Sequence, residues 1–188
     1  STGAPKDCLL WGDPHVMTFD GAYPNFYGEG EYWIVKTKKV SIQGRYLATA
    51  YTNGLAATHQ LVIGGTFMLG SKLQVGPMET GQITCNDQPF LVTFPSQGTC
   101  GAEVGYNSMG IEVDNAPSKI EKHIVHMSDR TLGVHVEIFR WANHLNARIT
   151  MPRQPGMTGN CGNANNNKLD DGEEPLRVGV NELLFNNP

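Results

Sequence analysis

Residues Val134, Val136 and Ile138 alternate with His135 and Glu137, the period-two signature of a strand with one face buried. No segment of the chain carries a 3.6-residue repeat over helical length. Short β-prone runs recur instead, separated by turn residues: Glu31–Thr37, Val40–Tyr46, His59–Ile63, Ile83–Cys85, Phe90–Phe94, Gly110–Asp114, Lys119–His126, Val134–Trp141 and Leu145–Met151. The last two read as a hairpin across 142–144, and Lys36–Lys39 reads as a solvated hairpin turn. One short helical turn is expected near Asn181–Phe185. The 22 glycines and 11 prolines are scattered, as in a chain with many turns. These features predict an all-β fold, an antiparallel two-sheet sandwich with at most short helical turns.

At 188 residues the chain suits one domain. We expect a linker over 1–7 and one domain over 8–188, with its core at about 8–172 and a tail at 173–188. Charged residues make up 17%, below the roughly 25% of ordinary soluble domains, which excludes a solvating disordered chain. Fourteen basic against 18 acidic residues give a net charge of -4, a poor match to nucleic acid or an anionic membrane surface. No apolar run approaches the ~18 residues of a membrane span. The N-terminus has no apolar leader, so a signal peptide is expected to be absent or removed. The apolar stretch Leu183–Phe185 just before Pro188 suggests a domain cut from a longer chain.

Cysteines stand at 8, 85, 100 and 161, with no C-x-x-C pair, which disfavours a thiolate zinc site or a thioredoxin-like motif. Their even number fits two disulfides in an oxidising compartment, in any of three connectivities. No N-x-S/T sequon occurs, which leaves secretion open.

The C-terminal stretch Gly159-Asn-Cys-Gly-Asn-Ala-Asn-Asn-Asn-Lys-Leu-Asp-Asp-Gly172 carries the clearest chemistry. Asn163, Asn165 and Asn167 fall at alternate positions, followed by Asp170 and Asp171. Short oxygen side chains closed by carboxylates wrap a hard cation, and calcium takes six to eight oxygens at about 2.3–2.6 Å. An all-oxygen set disfavours zinc and copper. A third carboxylate would help neutralise a divalent ion, and Asp20 is a candidate. The alternative is a polar surface turn without a metal.

This stretch, paired with Trp11-Gly-Asp-Pro-His-Val-Met-Thr-Phe-Asp-Gly21 near the other end, resembles the von Willebrand factor type D domain. Such domains occur in mucins, adhesion glycoproteins and zonadhesin-like proteins. The resemblance runs from Cys8 to about Asp171. It implies a β-sandwich with calcium near the C-terminal loop, held by Asp20, Asn163, Asn165, the carbonyl of Asn167, and the carboxylates of Asp170 and Asp171. It further implies a Cys8–Cys161 disulfide, which leaves Cys85 with Cys100. Assembly-forming members carry C-G-L-C-G where this chain has Thr158-Gly-Asn-Cys-Gly162, so disulfide-linked multimerisation is not expected. Partners would be other extracellular proteins or modules of the parent chain, and monomer is the default. The function implied is a secreted or cell-surface module in adhesion, matrix or assembly, not an enzyme.

The bond between Asp13 and Pro14 has its own chemistry. The Asp13 carboxylate can attack its own carbonyl carbon, forming an anhydride, while His15 protonates the departing Pro14 nitrogen. Some mucins, repulsive guidance molecules and inter-α-inhibitor heavy chains sharing the Gly-Asp-Pro-His motif cleave themselves there. The alternative is an ordinary Asp-Pro turn. Some marine luciferases contain type D domains, which leaves a secreted enzyme as a further class, although no nucleophile, base or cofactor motif names itself. His123 and His126, three apart on one strand, face opposite sides; with His135 and His144 they could still converge. Trp11, Trp33, Trp141 and the seven methionines read as core.

Overall fold

The computed structural model describes residues 2–12, 15–24, 28–48, 56–110, 120–167 and 176–185. The strands are β1 (Thr2–Trp11), β2 (His15–Met17), β3 (Gly30–Lys36), β4 (Ser41–Ala48), β5 (Ala56–Gly64), β6 (Leu73–Val75), β7 (Ile83–Cys85), β8 (Gln88–Pro89), β9 (Ser96–Cys100), β10 (Ala102–Gly110), β11 (Ile120–Asp129), β12 (Val134–Arg140) and β13 (Leu145–Arg153). They form two antiparallel sheets, one ordered β2-β1-β13-β12-β11-β10-β9 and the other β3-β4-β5-β6-β7-β8. The only helical pieces among the described residues are 3-10 turns at Thr66–Met68 and Val180–Glu182, the second overlapping the turn expected near 181–185. None is long and apolar enough to cross a membrane.

The sandwich follows from the alternation. Val134, Val136 and Ile138 of β12 are buried, as are Leu145, Ala147, Ile149 and Met151 of β13. They meet Tyr32 and Ile34 of β3, Ile42 and Tyr46 of β4, and Leu61 and Ile63 of β5 in one core. Burying one such aliphatic side chain contributes about 1.5–3 kcal/mol. The β12–β13 hairpin forms as read, with Arg140 opposite Leu145. Thr37 and Val40 close the β3–β4 turn, where the Thr37 hydroxyl accepts from the Lys39 and Val40 amides.

Three expectations need correction. Residues 2–7 are strand, not linker, because β1 pairs along β13 from Thr2–Arg153 to Leu10–Ala147. Phe90–Phe94 is not a strand. Pro89 and Pro95 flank it and remove ladder donors, Leu91 adopts a left-handed φ of 52°, and Val92 is 82% exposed. Of the tryptophans only Trp33 is core; Trp11 and Trp141 are 37% and 44% exposed. Most of the run expected at Gly110–Asp114 lies outside the described residues.

The end of the chain packs on the outer face of the second sheet. The Gln43 side chain donates to the Glu182 carbonyl at 2.9 Å and accepts from the Leu184 amide at 2.9 Å. Phe185 is buried beneath the Arg45 guanidinium, 4.6 Å from the ring centre. This covering explains why Gln43 and Arg45, on the face of β4 away from the core, are themselves buried.

Candidate cation site at the joined chain ends

After β13 the chain leaves the first sheet and runs as a strap along the edge of β3. Lys36 and Thr158 exchange backbone hydrogen bonds, the Asn160 amide donates to the Trp33 carbonyl, and the Cys161 amide donates to the Ile34 carbonyl. Gly159 is required here: its φ is 116°, and a Cβ would lie 2.6 Å from the Ile34 carbonyl oxygen. The Cys161 carbonyl in turn accepts from the Phe19 amide at 3.0 Å. Its sulfur bonds to Cys8 of β1, with the Cα atoms 5.7 Å apart. The second disulfide joins Cys85 and Cys100. Both pairings match those implied by the resemblance.

Cys161 thus brings the turn after β2 against the asparagine loop. Thr18 closes that turn through its carbonyl and hydroxyl, which accept from the Gly21 and Ala22 amides. Asp20 is projected inward with a side chain that has no solvent exposure. Its Oδ2 accepts from the Asn165 amide at 3.1 Å, and its Oδ1 from the Asn166 amide at 2.7 Å. Asn163 Oδ1 also accepts from the Asn165 amide, and Asn165 Oδ1 from the Asn167 amide at 2.8 Å. These bonds span two residues, the Asx-turn pattern, and Ala164 and Asn166 take left-handed φ values of 58° and 68° to make them.

A cation already sits among these oxygens. The Lys6 ammonium donates to Asp20 Oδ1 at 3.3 Å, to the Ala164 carbonyl at 3.5 Å and to Asn166 Oδ1. The donor set is all oxygen with one buried carboxylate at its centre, chemistry that fits a hard cation. Asp20, Asn163 and Asn165 therefore stand together as read from sequence. Asn167 joins them through its amide. Asp170 and Asp171 lie outside the described residues. Lys6 and Asn166 are partners that the sequence reading missed.

Asp13 and Pro14 also lie outside the described residues, but their flanks do not. Trp11 pairs with His15 across β1 and β2, and their rings stack at 5.5 Å. The Gly12 amide donates to Asn146 Oδ1 at 3.1 Å. The other histidines separate into different settings. His123 meets the Tyr106 hydroxyl at 3.0 Å, and His144 stacks on Trp141 at 5.9 Å. Burial pushes the His59, His126 and His144 imidazoles below the ordinary histidine value. His126 and His135 do converge, with rings 6.2 Å apart beside Glu137.

The von Willebrand factor type D domain profile matches residues 8–175. The chain belongs to that family. This type D domain is 26% identical over 191 residues to mouse Mucin-6, an alignment covering 100% of the chain and 6% of Mucin-6. It is 24% identical over 193 residues to mouse Zonadhesin, covering 95% of the chain and 3% of that protein. The domain thus spans a small fraction of either relative.

Proposed function

We propose that this type D domain is a non-enzymatic, calcium-stabilised and disulfide-bonded module of a larger secreted or cell-surface protein, acting in adhesion, matrix or assembly. Two disulfides suit an oxidising extracellular setting, as does similarity to a mucin and to zonadhesin. The observation that carries the calcium reading is the fully buried Asp20 carboxylate, which shares the Lys6 ammonium with two oxygens of the 163–166 loop, the Ala164 carbonyl and Asn166 Oδ1. Calcium would supply a fixed positive charge there. Asp20, Asn163 and Asn165 would hold it, with Asn167, Asp170 and Asp171 as further donors. Lys6 competes for the same oxygens, so calcium must displace its ammonium from Asp20.

The test is the melting temperature in calcium and in excess chelator. Ligand at about a hundred times its Kd adds about 2.7 kcal/mol, or about 5–11 °C for a domain this size. Magnesium should not substitute. Lys6→Met should melt lower in chelator and show a larger calcium shift. Absence of any shift in both proteins would identify the loop as a metal-free turn.

Self-cleavage at Asp13–Pro14 is a second reading, favoured by the anchoring of both flanks of that bond. The Trp11–His15 pair holds the imidazole on one flank of that bond, and Asn146 fixes the Gly12 amide on the other. Cleavage would yield a new N-terminus at Pro14, separating as fragments in mass spectrometry after reduction, because Cys8 would retain the released piece. Incubation at mildly acid pH should produce it, and Asp13→Ala should abolish it. A fragment that persists in Asp13→Ala would refute the mechanism.

A further inference from the structure

We propose that His126, His135 and Glu137 form a binding site for a divalent transition metal, zinc by its ligand chemistry, on the outer face of the seven-stranded sheet. The register of β11 against β12 creates it. His126 lies opposite Glu137, and Ser128 opposite His135, so the three side chains leave one sheet face from adjacent positions. Their ligand atoms all lie within 4.8 Å of one another. His126 Nδ1 is 4.0 Å from Glu137 Oε2, and His135 Nε2 is 3.7 Å from Glu137 Oε1. Ligands about 2.0–2.1 Å from a tetrahedral zinc stand about 3.3 Å apart, so rotamer adjustments of about 0.4–1.5 Å complete the site.

The surrounding bonds prepare these atoms as ligands. Asn107 Oδ1 is an acceptor 3.1 Å from His126 Nε2, which assigns the proton to Nε2 and turns the Nδ1 lone pair toward Glu137. Ser128 Oγ, 2.7 Å from His135 Nδ1, can accept its proton and leave the Nε2 lone pair inward. Both Arg148 bonds to Glu137 fall on Oε1, from Nε at 2.8 Å and from Nη2. They orient the carboxylate while Oε2 faces His126. Metal-ligating imidazoles commonly carry such an outer partner on the second nitrogen, and ligating carboxylates are themselves hydrogen-bonded.

Two imidazoles and one carboxylate give the three-ligand set of an open zinc site, with a fourth position left for water or an outside group. A groove of about 510 Å³, lined by His126 and Ser128 together with Gly105, Glu103 and Gln97, offers access from solvent. The Glu137 side chain is only 4% exposed, so its charge is shielded from competing solvent ions, whereas His135 is 42% exposed. This site differs from the Asp20 loop in ligand type and in the elements that carry it: two imidazoles and a carboxylate on β11 and β12 here, oxygens alone in a loop there.

Zinc titration of the whole domain by calorimetry, in calcium-containing buffer, is the test. Cobalt absorption supplies the coordination signature. One saturable zinc is expected. His135→Ala, at an exposed position, should weaken it more than tenfold, and Asn107→Ala or Ser128→Ala about tenfold. Asp20→Asn should leave zinc binding unchanged. Zinc affinity that is equal in His135→Ala, or a parent domain with no saturable zinc, would overturn the proposal.

Discussion

A Cys8→Ala/Cys161→Ala double variant should melt about 10–20 °C below the parent domain. The two cysteines are 153 residues apart, and closing so long a loop removes about 5 kcal/mol of chain entropy from the unfolded state. Removing Cys85–Cys100, whose separation is 15, should lower stability by only about 3 kcal/mol on the same account. The long-range bond has a second role, because the backbone of Cys161 holds the Ile34 edge and the Phe19 turn together. Its loss should therefore also increase amide exchange at Asn165 and Asn166, which bond to Asp20. Calorimetry and hydrogen exchange on the two double variants make the comparison. Equal melting points would mean that loop length does not set the effect.

Asp20→Ala should destabilise the domain by about 2–4 kcal/mol in excess chelator, before any metal is considered. It removes the Asn166 amide's acceptor, leaves the Asn165 amide with Asn163 Oδ1 alone, and removes the carboxylate partner of the Lys6 ammonium. Asp20→Asn retains an acceptor oxygen and should lose less. Both variants should lose the calcium response. Urea unfolding with and without calcium separates the contributions. An Asp20→Asn domain that still gains stability from calcium would show that the ion binds elsewhere.

The parts of the fold legible in the sequence are those where one face alone decides the strand. Alternation along Val134–Ile138 gave β12 and its hairpin directly. β1 was hidden because Gly3, Pro5, Lys6 and Asp7 resemble a linker locally. They are strand because β13 offers them a paired edge, which is a tertiary fact. Phe90–Phe94 misled in the opposite direction, with apolar content but proline at both borders. In the cation site, Asn163 and Asn165 were legible as oxygen donors at alternate positions, and Asp20 through the resemblance of its Thr-Phe-Asp-Gly stretch to the type D family. Lys6 was not, although a signal existed: it lies two residues before Cys8 on one strand and so points to the disulfide's side. The His126–His135–Glu137 group required the β11–β12 register, since its spacing along the chain carries no metal motif.

The joining of Cys8 to Cys161 also decides how the domain responds to mechanical load. Tension applied beyond Cys8 and Cys161 first peels residues 2–7 from β13 and the 182–185 segment from the second sheet, and then passes across one covalent bond. The enclosed chain of about 150 residues, worth about 500 Å of contour length, stays folded and unstretched. Reduction of that single bond would convert a short, stiff link into a long extensible one.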